Sequence, residues 1–141
     1  MKEYIEKVRN LMNGYKSSYL LMAAVRIGLF NVLSNELITC EEISNKLDVK
    51  SEKMELLLNA LVSLGLIQKE GEYYTLTDYK DIFSIDAQNS QIGYINYAFD
   101  MTDQWRNLEK ILVKTDTDKT PFKQYDNKSI RTFLEAMNTN A

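Results

Sequence analysis

Apolar residues recur along the start of the chain at the three-and-four spacing of a helix face. Tyr4, Val8, Leu11 and Tyr15 mark one side of a first helix, Lys2 to Met12, with Glu and Lys on the other side. Gly14 is expected to end it. The stretch "YLLMAAVRIGLFNVL", Tyr19 to Leu33, predicts a second helix that is apolar nearly all round. Such a helix must be covered on every side, or apolar surface is left in water. Ala23 and Ala24 would let another helix come close.

Thr39 opens a third, short helix. With Glu42 three residues later it forms a capping box: the hydroxyl accepts from the backbone while the carboxylate reaches back. Ile43 and Leu47 supply its inner face, and a turn over residues 48–50 follows. Ser51 is the expected N-cap of a fourth helix, Glu52 to Leu64. Its apolar residues Met54, Leu57, Leu58, Leu61 and Val62 form a full amphipathic stripe. Gly65 stands where a left-handed residue would close it. Two short strands come next, Leu66 to Lys69 and Tyr73 to Thr77, joined at "EGE" with Gly71 free to take positive φ. Helix, turn, helix, hairpin is the order of a winged helix-turn-helix.

Farther on, Ser90 to Val113 predicts one long helix. Tyr94, Ala98, Met101, Trp105, Leu108 and Leu112 lie along a heptad seam suited to packing against another long helix. The segment "KTDTDKTPF", Lys114 to Phe122, holds the single proline and reads as a loop. Ser129 to Asn138 predicts a last helix, with Ile130, Phe133, Leu134 and Met137 on one face. The expected fold is therefore mostly α: a winged helix-turn-helix with a small two-stranded wing, additional long helices and an intertwined dimer. Residues 1–113 form its winged-helix dimerisation domain, and 114–141 are a loop and linker helix.

Composition narrows the function. The 141 residues are 45% hydrophobic and 26% charged, with a net charge of −3. A winged helix that grips DNA needs a basic face and exposed Arg, Lys, Asn or Gln on its reading helix. Here that helix offers Glu52, Lys53, Glu55 and Asn59. From Glu36 to Thr77 there are eight acidic residues against four lysines, and no arginine falls between Arg26 and Arg106. A winged-helix transcription regulator is the alternative reading, and these charges oppose it.

There is no histidine and one cysteine, Cys40. That removes Ser-His-Asp and Cys-His nucleophile pairs and every imidazole-based zinc site. Cys40 reads as a small packed residue in a helix's first turn. Glycines 14, 28, 65, 71 and 93 form no Gly-x-Gly phosphate loop. No catalytic or metal-binding residue is expected in this chain, and no cofactor is expected to bind it alone. Tyr94, Tyr97, Phe99 and Trp105 could line a pocket for a flat ligand, or simply pack. The longest apolar run, Leu20 to Val25, is too short to span a membrane. "MKEYIEKVRN" is charged and lacks a signal peptide's apolar core. The expectation is a cytoplasmic protein that engages neither membrane nor nucleic acid.

Three stretches in order, "YLLMAAVRIGLFNVL", "TCEEISNKL" and "MELLLNALVSLGLIQKEGEYYTLTD", resemble one family. It is the N-terminal dimerisation domain of S-adenosylmethionine-dependent O-methyltransferases, the plant caffeate and hydroxyindole type and bacterial relatives. Trp105 with Leu108, and "FLEAM" at Phe133 to Met137, match later motifs of the same family. The resemblance implies a homodimer and a lid over a small-molecule methyl acceptor. It implies that Phe133 and Met137 face the active-site cleft and that Trp105 and Phe99 wall the substrate pocket. It also implies S-adenosylmethionine for a full-length enzyme, held by a Rossmann-like domain expected beyond Ala141. Excess apolar surface and heptad spacing together place Tyr19, Met22, Ala23, Tyr94, Ala98 and Met101 in the dimer seam.

Overall fold

The computed structural model describes residues 1–33 and 36–113. The chain divides into two units, Met1–Phe99 and Asp100–Ala141. In the first unit the element order is α1 (Lys2–Arg26), α2 (Leu29–Val32), β1 (Ile38–Thr39), α3 (Cys40–Leu47), α4 (Ser51–Ser63), β2 (Ile67–Glu70) and β3 (Tyr73–Leu76). A 3-10 turn (Asp78–Ile82) and α5 (Ile92–Asp100) complete it. The described part of the second unit carries α6 (Thr102–Arg106) and α7 (Leu108–Leu112). The protein is mostly helical, with one small antiparallel sheet.

Helix α1 departs from expectation. It runs unbroken for 25 residues through Gly14. An interior glycine costs a helix only about 1 kcal/mol, too little to stop one with good formers on both sides. The break comes at Gly28, whose φ of 82° is left-handed. Its backbone N–H bonds to the Val25 carbonyl at 3.1 Å, and the chain turns into α2, which buries Leu29 and Phe30. The two glycines therefore answer oppositely to the same change. Gly14→Ala is expected to stabilise by about 0.5–1 kcal/mol, because nothing lies within 4 Å of the added methyl. Gly28→Ala is expected to cost about 1 kcal/mol or more, through positive φ alone. Urea denaturation of the two variants checks the signs.

Thr39 builds its capping box: its Oγ1 accepts from the Glu42 backbone N–H at 3.2 Å, and Glu42 Oε2 accepts from the Thr39 N–H at 3.0 Å. Helix α4 does not begin as expected. Ser51 is its first helical residue, and Lys50 is an N-cap without a side-chain bond. Its stripe is as read: Met54, Leu58 and Leu61 are fully buried.

The sheet has three strands, not two, in the order β1-β3-β2. Ile38 and Thr39 pair with Tyr74 and Tyr73. Thr39 is in extended conformation, so one residue closes a strand and caps a helix. This makes β3 the central strand and explains why Tyr74, Thr75 and Leu76 are all buried. Gly71, at φ 61°, sits in the turn joining β2 to β3. Gly65, at φ 76°, closes α4 as its position implied.

The core gathers Ala24, Leu29, Phe30, Leu33, Ile43, Met54, Leu58, Leu61, Ile67 and Tyr74. Phe83 closes one end by stacking on Phe30, with ring centroids 3.9 Å apart and planes 10° from parallel. Ile95 brings α5 into the same core. The expected single helix over 90–113 is instead divided at Met101, whose backbone stays in the right-handed helical region, and at Asn107, whose backbone leaves it. The loop at 114–122 and the helix at 129–138 fall outside the described residues.

Candidate functional site

The feature that stands out is one face of α1. Every residue from Met1 to Tyr19 is exposed. Among them Tyr4, Ile5, Val8, Leu11, Met12, Tyr15 and Tyr19 are large and apolar, and Tyr4 and Leu11 are 74% and 72% exposed. At about 100° per residue these side chains fall in a sector roughly 120° wide, the span of an amphipathic stripe. Lys2, Glu3, Glu6, Lys7, Arg9 and Asn10 occupy the rest of the circumference. Tyr15 and Tyr19 meet edge to face, with centroids 6.4 Å apart.

The same geometry shows which way the stripe looks. Ala24, the one residue of α1 that is fully buried in the core, lies on roughly the opposite side of the helix. Leu21, Met22 and Val25 also pack against the core, so the uncovered part of the stripe is the run from Tyr4 to Tyr19. The stripe therefore points away from the chain's own interior. A contiguous apolar strip of this length on a water-facing helix is the signature of an interaction surface.

The predicted seam residues divide around this face. Tyr19, 45% exposed, and Met22, half-buried, extend the stripe; Ala23 is exposed at its margin. On α5, Tyr94 is 51% exposed and Ala98 half-buried. Met101 is half-buried between α5 and α6. Of the predicted pocket residues, Phe99 is half-buried beneath the Arg26 guanidinium, whose carbon sits 4.0 Å from the ring centroid. Trp105 is 40% exposed on α6. Phe133 and Met137 lie outside the described residues. Sequence reasoning found the periodicity of Tyr4, Val8, Leu11 and Tyr15 but did not assign them to the seam. Once Gly14 is passed, their face runs on into Tyr19.

The surface formed by α3, α4 and the hairpin is acidic. Glu41, Glu52, Glu55 and Glu72 line one groove there, with Lys69 the only base among its lining residues. Asn59, the candidate base-reading amide, is engaged: the buried Tyr74 hydroxyl donates to its Oδ1 at 3.2 Å. Cys40 is a free, half-buried thiol in the first turn of α3, with Sγ 3.5 Å from the Ser51 carbonyl. Among the described residues no group of acidic, Cys or His side chains could hold a metal. No helix among them is long and apolar enough to cross a membrane.

The glycine turns among the described residues do not fit a nucleotide-type cofactor such as S-adenosylmethionine. The positive-φ glycines, Gly28, Gly65 and Gly71, each sit alone at a helix stop or hairpin turn. None follows a strand and opens a helix, as a phosphate- or ribose-binding turn requires.

Residues 9–84 match the family model described as the O-methyltransferase dimerisation domain. The chain belongs to this family. The matched span covers the C-terminal two-thirds of α1 and all of the sheet, the elements that carry the stripe and the core. The dimerisation domain is 28% identical over 83 residues to the N,N-dimethyltransferase OxyT of Streptomyces rimosus, covering 59% of this chain and 24% of that protein. It superposes on an O-methyltransferase family protein from Burkholderia thailandensis with a TM-score of 0.73 at 23% identity, covering 94% of this chain and 41% of that one. Human N-acetylserotonin methyltransferase, solved with SAM, gives 0.60 at 21% identity over 95% and 44%. The likeness to these solved structures is one of fold. The chain spans under half the length of each of these relatives.

Proposed function

We propose that this chain is the homodimerising and substrate-lid module of a larger S-adenosylmethionine-dependent O-methyltransferase. The observation that carries the reading is the uncovered stripe of α1, turned away from the core in a domain whose family is defined by dimerisation. A second copy supplies the cover. The stripe from Tyr4 to Met22 packs on its symmetry mate, with Ala23 allowing close approach and Tyr94, Ala98 and Met101 forming a second strip. The helix-turn-helix and hairpin act as a winged helix that positions α1, and the protomers intertwine.

Phe99, Trp105, Phe133 and Met137 are proposed to face a small-molecule methyl acceptor. The 40% exposure of Trp105 supports this. Methyl transfer needs a donor held in line with the acceptor oxygen and a base to take its proton. The described residues supply neither, so the chemistry belongs to residues elsewhere in the enzyme. The test is sedimentation equilibrium of the chain. The expected mass is twice 16.4 kDa throughout the micromolar range; a monomer at high micromolar concentration would overturn the proposal.

A further inference from the structure

A cleft of about 350 Å³ opens between the end of α1, α2 and the start of α5. Phe30, Ile85 and Ile92 are among its apolar lining residues, and Arg26, Asn31 and Asn96 are its polar ones. These three polar side chains are unspent. Among the described residues no carboxylate pairs with Arg26, and neither carboxamide makes a hydrogen bond. Among the described residues Arg26 meets the Phe99 ring, 4.0 Å from its guanidinium carbon.

That stacking matters. A guanidinium held against an aromatic ring by a cation–π contact is restrained by that contact without using up its N–H groups. It keeps its fork for a carboxylate, which two parallel N–H bonds can hold. Flanking carboxamide N–H groups add donors that a carboxylate can also accept. A bare inorganic anion would leave the apolar walls wet. A planar body carrying a carboxylate satisfies both halves of the cleft, and its size matches pockets for small organic ligands.

We infer that this cleft is a binding site for a small planar carboxylate, held by Arg26 with Asn31 and Asn96 and sandwiched by the apolar walls. The site goes beyond the dimerisation reading and does not depend on it, because all of its residues lie in one unit of one protomer. A chain that proved monomeric would still contain it.

The experiment is an NMR titration of the 15N-labelled 141-residue chain with sodium benzoate. The Arg26 Nε–H and the Asn31 and Asn96 carboxamide resonances are expected to shift together and saturate near millimolar benzoate. Benzamide, the same shape without the charge, is expected to bind at least tenfold more weakly. Arg26→Gln is expected to lose benzoate binding by tenfold or more while its backbone amide spectrum stays dispersed. Arg26→Lys, which keeps the charge but not the fork, should fall between the two and provides a second reading if the glutamine variant misfolds. Inorganic phosphate is expected to produce no saturable shift. Benzoate that fails to saturate, benzamide binding as well as benzoate, phosphate reproducing the shifts, or Arg26 variants binding like the parent would each overturn the site.

Discussion

Leu11→Glu combined with Tyr15→Glu is expected to turn the dimer into a monomer. Both residues stand on the outer stripe of α1, 72% and 58% exposed in the single chain. In the dimer each would leave water. Burying a side chain of this size contributes about 1.5–3 kcal/mol. A two-fold interface counts every substitution twice, so the double variant forfeits about 6 kcal/mol before any charge is buried. At about 1.4 kcal/mol per decade, the dissociation constant rises by roughly ten-thousand-fold or more. Two carboxylates facing their mates across the axis add repulsion. Sedimentation velocity reads the result directly. Near-UV circular dichroism should keep the signal of the packed Phe30 and Tyr74, since neither substitution touches the core. A variant that sediments as the parent does would show that α1 is not the seam.

Phe30→Ala is expected to be the most damaging single core truncation of the first unit, costing about 3–5 kcal/mol. Phe30 is 5% exposed and stacks on Phe83, itself 4% exposed. Removing the ring empties a large volume and strips Phe83 of its partner. The stack ties the segment after β3 to α2, and Gln91, whose N–H bonds the Ile82 carbonyl at 2.8 Å, leads from there into α5. For a unit of about one hundred residues, each kcal/mol lowers Tm by roughly 4–8 °C. Calorimetry should therefore show a fall of at least about 12 °C. Because Phe30 also walls the cleft beside Arg26, benzoate binding should be lost with it. An unchanged transition would mean that the stack closes nothing.

Much of the fold was legible because its signals are local. The Thr39–Glu42 box, the stripe of α4, Gly65 and Gly71 each depend on residues within one or two turns of one another, and each stands where the pattern put it. The errors came where a weak local preference met a stronger constraint. Gly14 lowers helix propensity, yet α1 continues through it; Gly28, in a similar setting, stops the helix because its backbone turns left-handed. Ser51 is a better cap by type than Lys50, but the turn after Asp48, itself at φ 53°, brings the chain into the helix one residue early. Strand β1 was invisible, since two residues have no period and pair only with a β3 that lies far along the chain. The long helix over 90–113 was drawn from a seam that ignores how caps at Met101 and Asn107 divide it. At the site, Tyr19 was legible as apolar surface, 45% exposed in the single chain, whereas Met22 packs in part against the core. Arg26 was not: a basic residue in a helix's last turn already has an explanation in the helix dipole, and only its neighbours Phe99, Asn31 and Asn96 give it another.

The inner and outer sides of α1 answer to different masters. Ala24 is bound to its own hydrophobic interior, while Tyr4, Leu11 and Tyr15 owe nothing to it. Recognition between protomers can therefore drift without loss of foldability. After gene duplication, a handful of exchanges on that outer strip would decide whether sister polypeptides sort into separate pairs or mix.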